Sequence, residues 1–462
     1  MGLLISNDDF YNQRDDRTNR YLNSNVTFQN GKVLVKVAPG KNDTYNIQLM
    51  LLAACNTLSR FCRNITVLAQ NVPLHHNLCD DQVLLLDQLK STMQNADPFG
   101  NFFFAQDPAE LSAGDWDCVL HIGAINKSDS QKGLINIDGD GWIACMGDGL
   151  KNFDLPMTNQ LNPVGPGLAA ALGVAEVFKR LIGQPNNLTA TCFSAFNLEE
   201  SNNPETLANP PLPSPMDLGN CLMVGVGMVG SSALYFIKKT GIKMNLTLVD
   251  DDVVKIVNLN RSPIFGVKDC GTHKVSVGAA YLQKSGINVT SIPEKFAIGN
   301  VSQFDFILPL ANEDGIRNKL QNALPPLSLH AATAPGWGVT LYRHIPFTDN
   351  CLQCYPAEER KKANLACAEE EIQILAERVD AALPFLPMIA GVFLVGEMMK
   401  LQYRELYPNV PNTVSIELGE RLWVNPFHRN KTQNDCLCKQ DVIEEIHRAR
   451  IKSSKYFYLS KG

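Results

Sequence analysis

The stretch NCLMVGVGMVGSSALYFIKKTG, Asn220 to Gly241, reads as an apolar strand, a glycine-rich turn and a helix. Gly225, Gly227 and Gly230 stand in the order G-x-G-x-x-G directly behind the strand. Glycine at these places permits a tight turn and lets phosphates approach the helix N-terminus, where free N–H groups and the helix dipole favour negative charge. MNLTLVDDD, Met244 to Asp252, is the next strand, and Asp250 at its end is placed to hold ribose hydroxyls. By themselves these features fit an ATP site and a nicotinamide dinucleotide site equally well.

The same grammar, without the glycines, precedes it. KVLVKVA (Lys32 to Ala38) reads as a buried strand, IQLMLLAACNTLSRF (Ile47 to Phe61) as a helix and NITVLAQ (Asn64 to Gln70) as a second strand. Further strands fit DCVLHIGAI (Asp117 to Ile125) and GWIACMG (Gly141 to Gly147). Strand, helix, strand is the pattern of a parallel α/β sheet. Between the first strand and its helix, where phosphate-binding glycines would stand, this half has PGKNDTY. Near the end of each half lies a helix of matching pattern, ALGVAEVFKRL (Ala171 to Leu181) and VFLVGEMMKLQ (Val392 to Gln402), in which Glu176 and Lys179 correspond to Glu397 and Lys400. The chain therefore reads as a duplicated α/β domain. SNNPETLANPPLPSPMD, Ser201 to Asp217, has no periodicity and reads as an extended linker. This divides the chain into residues 1–200, a linker 201–216 and residues 217–462.

At 462 residues and 45% hydrophobic composition there is material for two cores. The 41 Lys and Arg against 47 Asp and Glu leave a net charge of −6, which speaks against a nucleic-acid surface. The sequence has no run of 18 apolar residues and no basic-then-apolar leader, so neither a membrane span nor a secretory signal is expected, and the setting is read as cytoplasmic. Gly2 and Ser6 match only the short, loose myristoylation pattern.

The two readings of the glycine turn separate in VDDDVVKIVNLNRSPIFGVKDCGTHKV, Val249 to Val275. It resembles the signature of the ThiF, MoeB and ubiquitin-activating enzyme family, D-x-D-x-V-x-x-x-N-L-x-R followed by Lys. Asp250, Asp252, Val254, Asn258, Leu259, Arg261 and Lys274 fill those places. The resemblance implies two Rossmann-like adenylation domains, the N-terminal one degenerate and the C-terminal one active, with ATP and Mg²⁺ at the active one. Arg261 and Lys274 would offset the charge that builds when a carboxylate attacks a phosphate, and Asn258 would donate a neutral hydrogen bond to the same phosphates. The segment DFILPLANED, Asp305 to Asp314, departs from the family: Asn312 stands where an Asp usually binds Mg²⁺, with Glu313 and Asp314 following.

The chain has 13 cysteines and no secretory leader, which favours thiols and metal ligands over disulfides. Cys55, Cys118, Cys145 and Cys221 sit in apolar runs and read as small core residues. Cys351-x-x-Cys354 and Cys436-x-Cys438 form two close pairs suited to a structural tetrahedral zinc, Zn²⁺, which the family also carries, with a longer second pair. Cys367, in ERKKANLACAEEEIQILAERV, matches the family segment that bears the acyl-accepting cysteine, and Cys192 is the second candidate. The family often places an N-terminal arginine on the ATP bound by the partner half. RDDRTNRYL offers Arg14, Arg17 and Arg20, with Arg20 first and Arg17 next.

An inactive half joined to an active one looks like the ubiquitin-like activators. The compact length is similar to the activators of bacterial ubiquitin-like conjugation operons, including the Bil antiphage systems, which act with a modifier, a conjugating enzyme and a deconjugating metalloprotease. The implied partners are a ubiquitin-like protein, recognised by its C-terminal carboxylate, and a conjugating enzyme; association of two chains is left open. The rivals are a sulfur-carrier adenylyltransferase of the ThiF or MoeB type, a dinucleotide oxidoreductase, and a non-catalytic scaffold that binds a modifier.

Overall fold

A computed structural model describes residues 5–461 apart from 23–27, 79–82, 112–115, 126–133, 149–152, 154, 156–157, 159, 185–189, 298, 300, 312–314, 335–336, 347–348, 350, 352–382, 407–409, 420–421 and 429–439. The first sheet comprises β1 (Lys32–Val37), β2 (Asn64–Leu68), β3 (Asn101–Ala105), β4 (Cys118–Ile122), β5 (Ile135–Asp140), β6 (Ile143–Asp148), β7 (Thr191–Ser194) and β8 (Glu200–Ser201). Its order is β3-β2-β1-β4-β5-β6-β7-β8, parallel through β5 and antiparallel beyond. The second comprises β9 (Asp217–Val224), β10 (Lys243–Val249), β11 (Asn288–Ile292), β12 (Phe306–Pro309), β13 (Ser328–Ala334), β14 (Gly338–His344), β15 (Thr413–Glu417) and β16 (Trp423–Phe427). Its order, β11-β10-β9-β12-β13-β14-β15-β16, repeats the first strand for strand, with the same directions.

The helices are α1 (Asn7–Arg14), α2 (Asp16–Leu22), α3 (Tyr45–Leu58), α4 (Leu85–Ala96), α5 (Val164–Leu181), α6 (Met228–Ile237), α7 (Ile256–Leu259), α8 (Lys274–Tyr281), α9 (Ile316–Asn322), α10 (Leu386–Lys400) and α11 (Asp441–Ser453). α3 and α10 are buried along their whole length and α5 through Lys179. A helix apolar on all sides needs cover on all sides, and these find it in the layer where the halves meet: α5 packs on α3 and α10, and α10 on α6. A Cβ on Gly391 would lie 2.6 Å from the Ser232 Cβ, so the α10–α6 crossing depends on the missing side chain.

The matched Glu–Lys positions are both buried ion pairs: Lys179 Nζ lies 2.6 Å from Glu176 Oε1, and Lys400 pairs with Glu397. Each lysine also faces the other half. Lys400 Nζ donates to the Ala195 carbonyl at 3.2 Å, and Lys179 Nζ lies 5.4 Å from the Trp337 ring centre.

Two expectations change. The segment read as an extended linker begins at the last residue of β8, contains a 3₁₀ turn at Pro204–Thr206, and is tied to both halves. Trp142 donates its backbone N–H to Asn209 Oδ1 at 2.8 Å and its indole N–H to the Pro210 carbonyl at 3.2 Å, while the Tyr403 hydroxyl donates to the Pro211 carbonyl at 2.8 Å. Cys145 and Cys192, read as a core thiol and a candidate nucleophile, form a buried disulfide. The antiparallel register of β6 and β7 sets them opposite each other, with Cα atoms 4.0 Å apart, which strand assignment alone could not reveal. Among the described residues no helix is long and apolar enough to cross a membrane.

Candidate functional site

The β9–α6 turn opens onto a cavity of about 400 Å³, the size of a small-ligand site. Gly225 adopts φ +100°, and a Cβ there would come within 2.4 Å of the Ala311 backbone nitrogen. Gly227 caps α6 and has no atom within 4 Å of where a Cβ would stand, which leaves the helix N-terminus open to the cavity. At Gly230 a Cβ would meet the Gly225 carbonyl oxygen at 2.3 Å, so the third glycine lets the helix pack against the turn. Gly225 and Gly230 are thus required sterically, whereas Gly227 leaves open space at the helix end.

Asp250 closes the turn from β10. Its Oδ2 accepts from the Val226 N–H at 2.6 Å and its Oδ1 from the Asp252 N–H at 2.9 Å. Burial holds its carboxyl above the ordinary range, against Lys274 and the two backbone donors. For Asp252 burial also acts upward, but the hydrogen bond and charge of Lys274 outweigh it and leave the carboxyl below its ordinary range. Lys274 begins α8, with Nζ 2.6 Å from Asp252 Oδ2. Asn258 Oδ1 accepts from the Lys255 N–H at 2.9 Å, which turns its amide nitrogen away from that bond. Gly225, Gly227, Asp250, Asp252, Asn258, Arg261 and Lys274 all line the one cavity. Gly230 lies behind it.

Arg261 is 4% exposed and sits in the loop from Leu259 to Phe265. The N-terminal half holds that loop in two places. Asn260 Nδ2 donates to Thr18 Oγ1 of α2 at 2.8 Å, which seats α2 beside the cavity. At the end of α3, Arg60 donates from Nη2 to the Pro263 carbonyl at 2.8 Å, from Nη1 to the Phe265 carbonyl at 3.0 Å, and to the Leu259 carbonyl. Burial pushes the Arg60 guanidinium down to about 9. Desolvating such a charge costs several kcal/mol, offset by charge-assisted bonds of about 1.5–3 kcal/mol each.

The N-terminal arginines separate by placement. Arg17 lines the cavity. Arg20, the first choice from sequence, instead pairs with Asp16 at 2.9 Å on the exposed side of α2. Arg14 is buried between Asp15 and Asp97. Sequence reading did not identify Arg60 or Asn56; their signal was the polar stretch NTLSR directly after the apolar run LMLLAAC. Phe265 and Phe296, which also line the cavity, carried no motif.

Asn312, Cys354, Cys367, Cys436 and Cys438 lie outside the described residues. Cys351 is buried. Among the described residues no group of three or more His, Cys, Asp or Glu side chains is arranged to hold a metal.

Comparison with known proteins follows the same division. Residues 217–438 match the ThiF family, and residues 32–195 match the BilD N-terminal domain. An uncharacterized protein, y4jF, of Sinorhizobium fredii is 27% identical over 246 residues, 51% of this chain and 46% of its own length. The adenylyltransferase and sulfurtransferase UBA4 of Debaryomyces hansenii is 30% identical over 86 residues, 19% of each chain. The NEDD8-activating enzyme E1 catalytic subunit of Dictyostelium discoideum is 33% identical over 90 residues, 19% of this chain and 20% of that one. The chain thus spans less than half the length of these curated relatives.

Proposed function

Because this chain joins a BilD N-terminal domain to a ThiF-family domain, we propose that it adenylates the C-terminal carboxylate of a ubiquitin-like protein with ATP. The observation that carries the proposal is a single cavity lined by the glycine turn, Asp250, Asn258, Arg261 and Lys274 of one half and by Arg17 of the other. Residues 1–200 serve as a built-in pseudo-subunit and 217–462 as the active domain, so no second chain is needed to complete the cavity.

The cavity suits a triphosphate. The open helix end at Gly227 receives phosphate, and Asp250 faces the ribose. The modifier carboxylate attacks the α-phosphorus, an acyl–phosphate bond forms, and the bond to pyrophosphate breaks. Two anions meet in that step, and Arg261, Lys274 and Arg17 hold positive charge where negative charge grows. Mg²⁺ carried with ATP neutralises further phosphate charge. Its expected protein ligand near Asn312 to Asp314 lies outside the described residues. Cys367 then attacks the acyl carbon as thiolate; a thioester forms and AMP departs. A conjugating enzyme accepts the acyl group on its own cysteine. A structural zinc on Cys351, Cys354, Cys436 and Cys438 belongs to this reading, as does a cytoplasmic place in a bacterial antiphage operon, which the BilD-type N-terminal half supports. A dinucleotide oxidoreductase would explain the glycines and Asp250 but leaves Asn258, Arg261 and Lys274 in the same cavity without a role. UBA4, matched over 86 residues, is named as an adenylyltransferase and sulfurtransferase and keeps the sulfur-carrier alternative in view.

ATP–pyrophosphate exchange with modifiers encoded beside the gene tests the reading. Exchange that needs a free modifier C-terminus and disappears in Arg261→Ala supports adenylation, and a thiol-sensitive adduct lost in Cys367→Ala assigns the nucleophile. Bound ATP without exchange turns the reading to a scaffold. Zinc is tested by elemental analysis: one ion per chain, lost in Cys436→Ala.

A further inference from the structure

From Leu49 to Cys55 α3 is apolar; its last turn brings Asn56 and Thr57, and Ser59 and Arg60 follow directly after its end at Leu58. Arg60 is 3% exposed, yet its guanidinium satisfies little in its own half. Its Nε donates to Asn56 Oδ1 at 3.0 Å, and both terminal nitrogens reach across to the Leu259, Pro263 and Phe265 carbonyls. Asn56 Nδ2 adds a bond to the Pro263 carbonyl at 3.1 Å. All these hydrogen-bond acceptors are neutral oxygens, so the group acts as a planar template rather than as one member of an ion pair. The bracketed residues flank Arg261 and Ser262, which line the nucleotide cavity.

Stability alone is a weak account of this arrangement. The halves are already joined by the apolar layer of α3, α5, α6 and α10, and a buried cation adds a desolvation cost that an apolar side chain would avoid. What a forked donor adds is geometry: it fixes three carbonyls of one loop at once.

We propose that Arg60, braced by Asn56, is a positioning residue that sets the aim of Arg261 from the other half of the chain. This rests on the adenylation reading. Arg60 is absent from the lining of the nucleotide cavity and lines a separate cavity with Asn56, Pro263 and Phe265. The glycine turn and Asp250, which hold the nucleotide, lie on other segments. Loosening the loop therefore costs the transition state more than the ground state.

Lysine carries the charge without the fork. In Arg60→Lys, kcat for exchange falls about 10–100-fold, the range expected when a catalytic group is misplaced by about 1 Å, while KM for ATP changes less than about threefold on the uniform-binding argument. Arg60→Met falls further, and Asn56→Ala loses about three- to tenfold, the scale of one neutral hydrogen bond. Hydrogen exchange at the Arg261 and Phe265 amides quickens in Arg60→Lys, with α10 unchanged. Asn56→Ala keeps the test open should the Arg60 variants fail to fold. Unchanged kcat with unchanged loop exchange overturns the proposal, as does a rise in KM that accounts for the whole loss. If the wild-type chain shows no exchange with any modifier, adenylation fails on its own; the loop amides and the ATP dissociation constant then read the bracing separately, and unaltered loop exchange overturns that as well.

Discussion

The two halves of this chain have the same strand order and each carries a buried Glu–Lys pair on a helix, yet among the described residues it is the β9–α6 connection, and not β1–α3, that lines the cavity shared with Asp250, Arg261 and Lys274. The difference is concentrated at one connection. Between β9 and α6, Gly227 leaves the helix end open. Between β1 and α3 the chain reads PGKNDTY, and the first turn of α3 is occupied by its own side chains: the Tyr45 hydroxyl donates to the Lys239 carbonyl at 2.7 Å, and Asn46 Nδ2 donates to Asp140 Oδ1 at 2.7 Å. Architecture is held by the inward faces of helices and strands, while binding is decided by a few residues at one turn. The first half keeps the same fold and lends Arg17 to the cavity of the second.

The largest expected effect tests whether the halves are equal structural partners. Glu397→Ala and Glu176→Ala each leave a lysine buried without its carboxylate, and each should lower unfolding free energy by about 3–5 kcal/mol in urea titrations. A loss confined to one half would break the equivalence. Next comes function: Arg261→Ala should reduce pyrophosphate exchange about 10²–10³-fold, as removal of one transition-state donor does. Arg17→Ala should cost about 10–100-fold, roughly 1.4–2.7 kcal/mol in the barrier, whereas Arg20→Ala removes an exposed i,i+4 pair and about 0.3–0.5 kcal/mol. Equal losses at the two arginines would show that α2 is placed differently in solution. The glycines give the sharpest contrast in binding. Gly40 and Gly225 both have positive φ, so alanine costs about 1–2 kcal/mol of strain at either. Only Gly225→Ala also drives a Cβ into Ala311 and should abolish ATP binding by calorimetry; Gly40→Ala has nothing within 4 Å to displace and should leave it unchanged.

The strand–turn–helix at Asn220 to Gly241 and Asp250 behind it were legible because what holds them is local: a positive φ at Gly225 and a strand-end carboxylate on the turn. The Glu–Lys match between α5 and α10 was legible as a repeated pattern. Arg17 was not separable from Arg20, since α2 is seven residues long and its facing is set by the Thr18–Asn260 bond, a contact 242 residues apart in sequence. Arg60 was hidden for the same reason, its acceptors being carbonyls about 200 residues away that no side-chain pattern marks. The Cys145–Cys192 bond depends on strand register, which the sequence does not state. Strand β5 escaped because INIDGD carries three polar residues beside two isoleucines and a glycine, although all six are buried.

The seating of Arg17 and Arg60 from the same polypeptide has a consequence for how the site responds to dilution. A site completed by a second, separate chain is assembled only in proportion to a dimer's population, and empties as concentration falls below that dimer's dissociation constant. Here the completing residues are tethered, so their effective concentration is fixed by the covalent path and not by copy number. Specific activity should therefore stay flat from micromolar to picomolar chain.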